Sequence, residues 1–213
     1  MADAPKARIH GPLQNYFVFP VARMISWFIM VLFGRATVYG AYRCPKKGGV
    51  LILPNHLADV DPLMLQLHCP RNIHFMAKQD LFSIGWLAPL MRMGNTFPVK
   101  QGEPDRGALR LAADLLKEGA AVCVFPEGQL SEDGELQPLK PGVALIVRMA
   151  QVPVICVGLR KTNKVLPYGK LIPRPTAAKV TSMWGEPRTF PKEATTDEIM
   201  EWVEGQLRVL TQE

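Results

Sequence analysis

The stretch Val50-Leu51-Ile52-Leu53-Pro54-Asn55-His56-Leu57-Ala58-Asp59-Val60-Asp61-Pro62 changes character twice in quick succession. Its first four residues are apolar without alternation, the pattern of a strand covered on both faces. Pro54 and Asn55 end that run. Asp61-Pro62 then has the composition of a helix start, a capping side chain ahead of a proline in the first turn. A buried strand that turns through a polar loop into a helix is the unit from which sheets with helices on their faces are built. The loop also carries a histidine at the strand's end, where α/β proteins gather their ligands.

Outward from this unit, short β-type runs alternate with helical patterns. Strands are expected at residues 37–42, 50–53, 73–77, 121–125, 152–158 and 178–184. Helices are expected at 62–68, 86–93, 106–117, 143–150 and 196–210, the last opening at Thr195 or Thr196 with Asp197 and Glu198 in its first turn. The reading is an α/β fold, a mixed and mostly parallel sheet flanked by helices, with an N-terminal membrane-associating helical segment. A second punctuated loop, Pro126-Glu127-Gly128-Gln129-Leu130-Ser131, follows the strand at 121–125 and pairs naturally with the first.

The N-terminal segment is set apart by residues 17–33, FVFPVARMISWFIMVLF. This run falls short of the roughly 20 residues that span a bilayer, and Pro20 and Arg23 interrupt it. No small-residue cleavage site follows, as a secretory signal would need. Basic residues flank both ends, so neither direction of crossing is favoured and both ends are expected to stay on the cytoplasmic side. The segment reads as an interfacial or re-entrant helix, with Trp27 and several Phe at the headgroup boundary and anionic lipid drawing it there. The competing reading is a helix buried on its own domain. A boundary near Gly34 divides the chain into a membrane helix at 1–34 and a catalytic domain at 35–213.

The chain has 213 residues, 48% hydrophobic and 21% charged, enough for a real core and too apolar for disorder. Its net charge of +6 is carried by residues 1–50, which hold Lys6, Arg8, Arg23, Arg35, Arg43, Lys46 and Lys47 against Asp3. Acidic and basic residues balance in the remainder. A nucleic-acid binder would spread its cations over a face of the main domain, so nucleic acid is not an expected partner. Cys44, Cys69, Cys123 and Cys156 form no CxxC pair, and a reducing compartment follows.

His56 can act as a general base if a neighbour fixes its ring and stabilises its protonated form, and Asp61 is one short loop away. Asp61 equally suits a helix cap, and the two roles are compatible. Glu127, held between Pro126 and Gly128 at a strand end, is poorly placed for a casual surface charge. His68, Cys69 and His74 cluster in sequence, yet their spacing with His56 matches no zinc pattern, so no metal is expected. No Gly-x-Ser-x-Gly elbow, Walker loop or dinucleotide fingerprint appears. These absences leave general-base chemistry on His56 open, with a hydrolase using the same pair and a catalytically weak lipid-binding module as alternatives.

With both loops in view, the sequence resembles the glycerolipid acyltransferase family, best known for its lysophosphatidate (1-acylglycerol-3-phosphate) acyltransferases. Asn55-His56 through Asp61 is similar to the family's NHxxxxD motif, and Gly94-Asn-Thr-Phe-Pro-Val-Lys100 to its second block. Phe125-Pro-Glu127-Gly128-Gln-Leu-Ser131 is similar to FPEGTRS, and residues 152–158 to the VPIxPV strand. Phe75-Met-Ala-Lys78 with Asp80-Leu-Phe82 resembles the AKxELF stretch, and Lys140-Pro-Gly142 the KxG turn. The likeness covers about residues 35–184.

The resemblance implies acyl transfer from a thioester, acyl-CoA or acyl carrier protein as co-substrate, to the hydroxyl of a membrane lipid acceptor. His56 would be the base and Asp61 its orienting carboxylate, with Lys78, Lys100, Glu127, Gly128 and Ser131 forming the substrate-binding set. Two departures bear on the acceptor: Lys100 stands where the second block normally ends in Arg, and Leu130 where FPEGTRS has Arg. A planar fork that grips phosphate is thereby exchanged for a point charge, and a second cation is lost. Lys100 reads equally as a solvated loop lysine beside Gln101-Gly102.

Overall fold

The computed structural model describes residues 14–33, 35–100, 105–170 and 172–212, so Lys6, Arg8, the boundary residue Gly34 and Gln101-Gly102 lie outside the described residues. Strands are β1 Thr37–Tyr39, β2 Val50–Pro54, β3 Ile73–Lys78, β4 Thr96–Val99, β5 Ala121–Cys123, β6 Val154–Arg160 and β7 Thr181–Trp184. Helices are α1 Phe19–Phe33, α2 Asp61–His68, α3 Leu87–Met93, α4 Arg106–Lys117, α5 Gly142–Ala150, α6 Thr162–Val165 and α7 Thr196–Thr211. A π-helical turn, Gln14–Val18, leads into α1.

The strands form one sheet in the order β1-β7-β6-β2-β5-β3-β4. β6, β2, β5, β3 and β4 run parallel, β7 runs antiparallel to β6, and β1 follows β7. This is the mixed, mostly parallel sheet expected from the sequence. β4 was not expected as a strand: it is short, and Pro98 removes an amide from it. It survives because it is an edge strand, paired only with β3, where a missing amide costs no ladder bond. The strand expected at 37–42 stops at Tyr39, because Gly40 takes φ 74° and turns the chain into a 3-10 turn, Ala41–Arg43.

Residues of β2 are buried on alternate faces, which explains the unbroken apolar run. Leu51 and Leu53 pack with Val122, Cys156 and the inner sides of α4, α5 and α7. Val50 and Ile52 pack with Ile73, Ile155, Met64 and Leu65 beneath α1 and α2. Each such side chain stabilises the fold by about 1.5–3 kcal/mol. α4 starts where the Asp105 side chain accepts from Ala108 N, and α7 where Thr195 accepts from Glu198 N. α7 lies so close to β6 that a Cβ on Gly158 would collide with the Leu210 carbonyl.

α1 packs on α2 through the stripe Phe19, Arg23, Ser26 and Met30, spaced for one helix face. Arg23 donates to the carbonyls of Cys69 (2.9 Å) and Arg71 (3.1 Å), at the carboxyl end of α2 where cations are favoured. The charge inside the apolar run is therefore matched by the protein itself. The outer stripe remains exposed: Met24, Ile25, Trp27, Phe28, Val31 and Leu32 are each at least half accessible. By length and composition Tyr16–Phe33 is apolar enough to cross a membrane, with a mean hydropathy of 1.8.

Candidate active site

Because β2, β5, β3, β4 and β6 are parallel, the loops after them open on one edge of the sheet. The histidine loop leaves β2 at the centre of that edge. Asn55, buried, clamps it to β6: Nδ2 donates to the Leu159 carbonyl (3.0 Å) and Oδ1 accepts from the Leu159 amide (2.6 Å). The sequence reading gave Asn55 no role, since an Asn after a strand reads as a turn residue.

His56 Nδ1 lies 3.0 Å from Asp61 Oδ2, and the same oxygen accepts the amides of Leu57 (2.7 Å) and Ala58 (2.9 Å). Asp61 is fully buried, and its carboxylate turns back into the loop instead of capping α2. Val60 occupies the cap position with no side-chain bond, so the helix-cap reading of Asp61 is overturned. Three loop donors claim the carboxylate in preference to the helix amides. Since Nδ1 donates to a carboxylate, the neutral ring carries its lone pair on Nε2, the tautomer a base needs. The ring stacks on Phe125 with centroids 3.8 Å apart, a support the sequence reading missed.

Glu127 joins the two loops. Its Oε1 accepts the His56 amide (2.7 Å) and Oε2 the Gln137 amide (2.8 Å), with the side chain buried. Burial pushes the Glu127 carboxyl above its ordinary range, against the opposing pull of those amides. Ser131 donates its amide to the His56 carbonyl (2.8 Å), while its hydroxyl bonds Asp133 (2.9 Å) and Glu135 (2.8 Å) within the loop. Gly128 takes φ 67°, and a Cβ there would press on the Lys140 side chain. His56, Asp61, Glu127 and Ser131 thus form one connected network. Glu127 and Ser131 act in it as pins, Glu127 through two backbone amides and Ser131 through its own amide and its hydroxyl's bonds within the loop.

Lys78, at the end of β3, faces a cleft of about 450 Å³ shared with Gln129, Leu130, Glu132, Asp133 and Tyr168. The Tyr168 phenol is hydrogen-bonded to Glu132, which raises its pKa. Lys100 is exposed outside this cleft, its amide donating to Asp105 Oδ2 (3.0 Å). His68 Nδ1 pairs with Ser182 Oγ (2.8 Å), and Cys69 lies 3.9 Å from Cys44. Among the described residues no three His, Cys, Asp or Glu side chains gather as metal ligands.

A family profile described as Acyltransferase matches residues 35–160. A 1-acyl-sn-glycerol-3-phosphate acyltransferase of Bacillus subtilis is 34% identical over 129 residues, covering 60% of this chain and 63% of the relative. The chloroplastic 1-acyl-sn-glycerol-3-phosphate acyltransferase BAT2 of Brassica napus is 30% identical over 158 residues, 69% of this chain and 46% of its own. The human 1-acyl-sn-glycerol-3-phosphate acyltransferase beta is 28% identical over 142 residues, 63% and 51% respectively. The chain spans less than two thirds of the length of these curated relatives. The crystal structure of the 1-acyl-sn-glycerophosphate (LPA) acyltransferase PlsC from Thermotoga maritima superposes with a TM-score of 0.78 at 25% identity, over 96% of this chain and 82% of that one.

Proposed function

This chain belongs to the acyltransferase family, and on that footing we propose that it moves a fatty acyl group from an acyl thioester, acyl-CoA or acyl carrier protein, to the hydroxyl of a lysophospholipid such as 1-acylglycerol-3-phosphate. The single observation that carries the reading is the 3.0 Å contact between His56 Nδ1 and a buried carboxylate, which leaves Nε2 as the basic nitrogen. Nε2 takes the proton of the acceptor hydroxyl as its oxygen attacks the thioester carbonyl. The tetrahedral intermediate collapses, the C–S bond breaks, and the imidazolium returns the proton to the departing thiolate. Asp61 orients the ring and stabilises the imidazolium. Lys78 meets the acceptor's phosphate, with Lys100 beyond it, while Glu127, Gly128 and Ser131 hold the loop that borders the cleft.

The exposed outer stripe of α1 supports a peripheral or monotopic attachment to a membrane, and the basic residues flanking the segment favour the cytoplasmic face of an anionic one, with residues 35–213 as the acyltransferase domain. Arg23 is matched by the carbonyls at the end of α2, so α1 lies on the domain and presents its other side to lipid.

The test is His56→Ala with acyl-CoA and lysophospholipid in mixed micelles. A base of this kind is worth roughly 10²-fold or more, so transfer should fall at least that far with an unchanged melting temperature. Retention of more than about a hundredth of the rate would remove His56 as the base. Thioester consumption by wild type without acceptor would favour the hydrolase.

A further inference from the structure

A second cleft, of about 420 Å³, opens beside Asn55 and Leu57 of the same histidine loop, over the carboxyl ends of β2 and β6. Arg160, Lys161 and Lys164 enter it after β6, and Arg208 from the last turn of α7. Asp133 and Glu135 enter from the loop after β5, so cations outnumber carboxylates by two to one. In the Lys78 cleft a single lysine stands with Glu132 and the same Asp133. The cleft beside Asn55 and Leu57 is thus the more basic of the two, and the Lys78 cleft opens instead against the loop that carries Gln129 and Leu130.

The basic cleft combines one anchored cation with exposed ones. Arg160 Nε donates to the Leu210 carbonyl (3.0 Å), which holds the planar guanidinium where β6 meets α7. Lys164 and Arg208 are exposed, and the Arg208 guanidinium pairs with Glu204 on its own helix (2.6 Å). Asp133 Oδ1 already accepts Ser131 Oγ (2.9 Å), the Glu135 amide (2.9 Å) and Gln137 Nε2 (2.8 Å), so much of its charge is absorbed within its loop. What remains suits a ligand with more than one anionic oxygen.

We propose that this cleft binds the phosphate groups of the thioester donor's phosphopantetheine carrier, so that donor and acceptor approach His56 from different clefts. The proposal rests on the acyl-transfer reading above. Of the two substrates, the donor is the one whose phosphates stand off from the reacting carbon on a long flexible arm. Acyl-CoA and acyl carrier protein share that arm and its phosphodiester. Acyl-CoA adds the diphosphate and 3′-phosphate of its nucleotide. A phosphate site beside the catalytic loop but apart from the acceptor's cleft fits that geometry.

The experiment compares full-length wild type with Lys164→Glu/Arg208→Glu, both at exposed positions. Three quantities are read: KM for acyl-CoA and for acyl carrier protein, KM for the lysophospholipid, and the Kd of free CoA by calorimetry. Loss of charge-assisted contacts should raise the donor KM and weaken CoA binding by about tenfold or more, with kcat and the acceptor KM unchanged. Competition by adenosine 3′,5′-bisphosphate against acyl-CoA would assign the cleft to the nucleotide phosphates. A rise in both donor KM values without such competition would assign it to the shared phosphodiester. The proposal is overturned if donor KM and CoA Kd are unaltered, or if only the lysophospholipid KM moves. If wild type transfers no acyl group yet binds CoA in a manner the double variant weakens, the acyl-transfer reading fails while the cleft assignment stands.

Discussion

The histidine loop and helix α1 each bring charge into apolar surroundings, and they differ in how completely the protein encloses the result. In the loop, Asp61 collects two amides and the His56 ring on one oxygen, and His56 is further held by its own amide and carbonyl. In α1, Arg23 is matched just as well, by two carbonyls, but only along the inner stripe. The outer stripe meets no cover among the described residues. A ring fixed by three donors converging on one carboxylate oxygen, with its own amide and carbonyl also bound, is one whose geometry must not vary, as a proton-transfer site requires. A helix held from one side leaves its other side uncovered by the described residues.

Glu127 is where the enclosed half breaks most easily. Glu127→Ala leaves the part-buried amides of His56 and Gln137 without their acceptor, at up to about 1–3 kcal/mol each. Both the denaturant midpoint and kcat should fall together. A variant that melts like wild type would mean that the loop is not held by this carboxylate. Burial raises the Glu127 pKa above its ordinary value, and the His56 and Gln137 amides oppose that rise by stabilising the carboxylate.

Helix α2 joins the two regions, opening at Asp61 and ending at His68 under the Arg23 clamp. Burial holds the His68 pKa down at about 4, from an ordinary 6.5. The unfolded chain therefore binds a proton that the native chain refuses. Stability from this source is complete above pH 6.5 and is lost as pH falls toward 4, by about 3 kcal/mol in all. Urea midpoints between pH 7 and 4.5 measure the slope, and His68→Gln should flatten it. An unchanged slope would show that other groups drive the acid transition.

Arg23→Met sharpens the contrast from the α1 side. It preserves an apolar, helix-forming side chain and removes the charge from the end of α2, a loss of about 1–2 kcal/mol for a partly buried pairing. Thermal melts and protease cleavage between α1 and β1 measure it. If neither responds, α1 is docked by Phe19 and Met30 alone.

How legible these features were follows from the range over which each is encoded. The α4 and α7 starts were readable because cap and apolar periodicity lie within a few residues of each other. β4 escaped because four residues with a central proline carry no strand signal, and only pairing with β3 makes them one. The His56 and Asp61 pair was visible as a spacing, but Asp61's choice of loop amides over helix amides depends on a fold of the loop that composition does not specify. The Asn55 clamp joins residues 104 apart, and the basic cleft brings Arg160 to α7 at Leu210, 50 residues on. Contacts of that range become visible only once the sheet order is known.

The smallest expected change in stability carries a large functional one. Trp27 and Phe28 are 55% and 57% exposed on the outer stripe of α1, so Trp27→Ser/Phe28→Ser removes little that the protein itself buries. Folding stability should stay within about 0.5 kcal/mol of wild type. Against a bilayer, each ring inserted contributes about 1.5–3 kcal/mol, so losing both should lower partitioning by roughly a hundredfold or more. Flotation with anionic vesicles measures this, and Met30→Ser, on the inner stripe, is the opposite control. Met30 is buried against the domain, so its loss should cost about 2–5 kcal/mol of stability. If the outer double variant floats like wild type while the inner one melts early, α1 is an ordinary covering helix and the membrane attachment lies elsewhere. The apolar side chains of α3 and its approach, Trp86 and Leu90 among them, would then be the next to change.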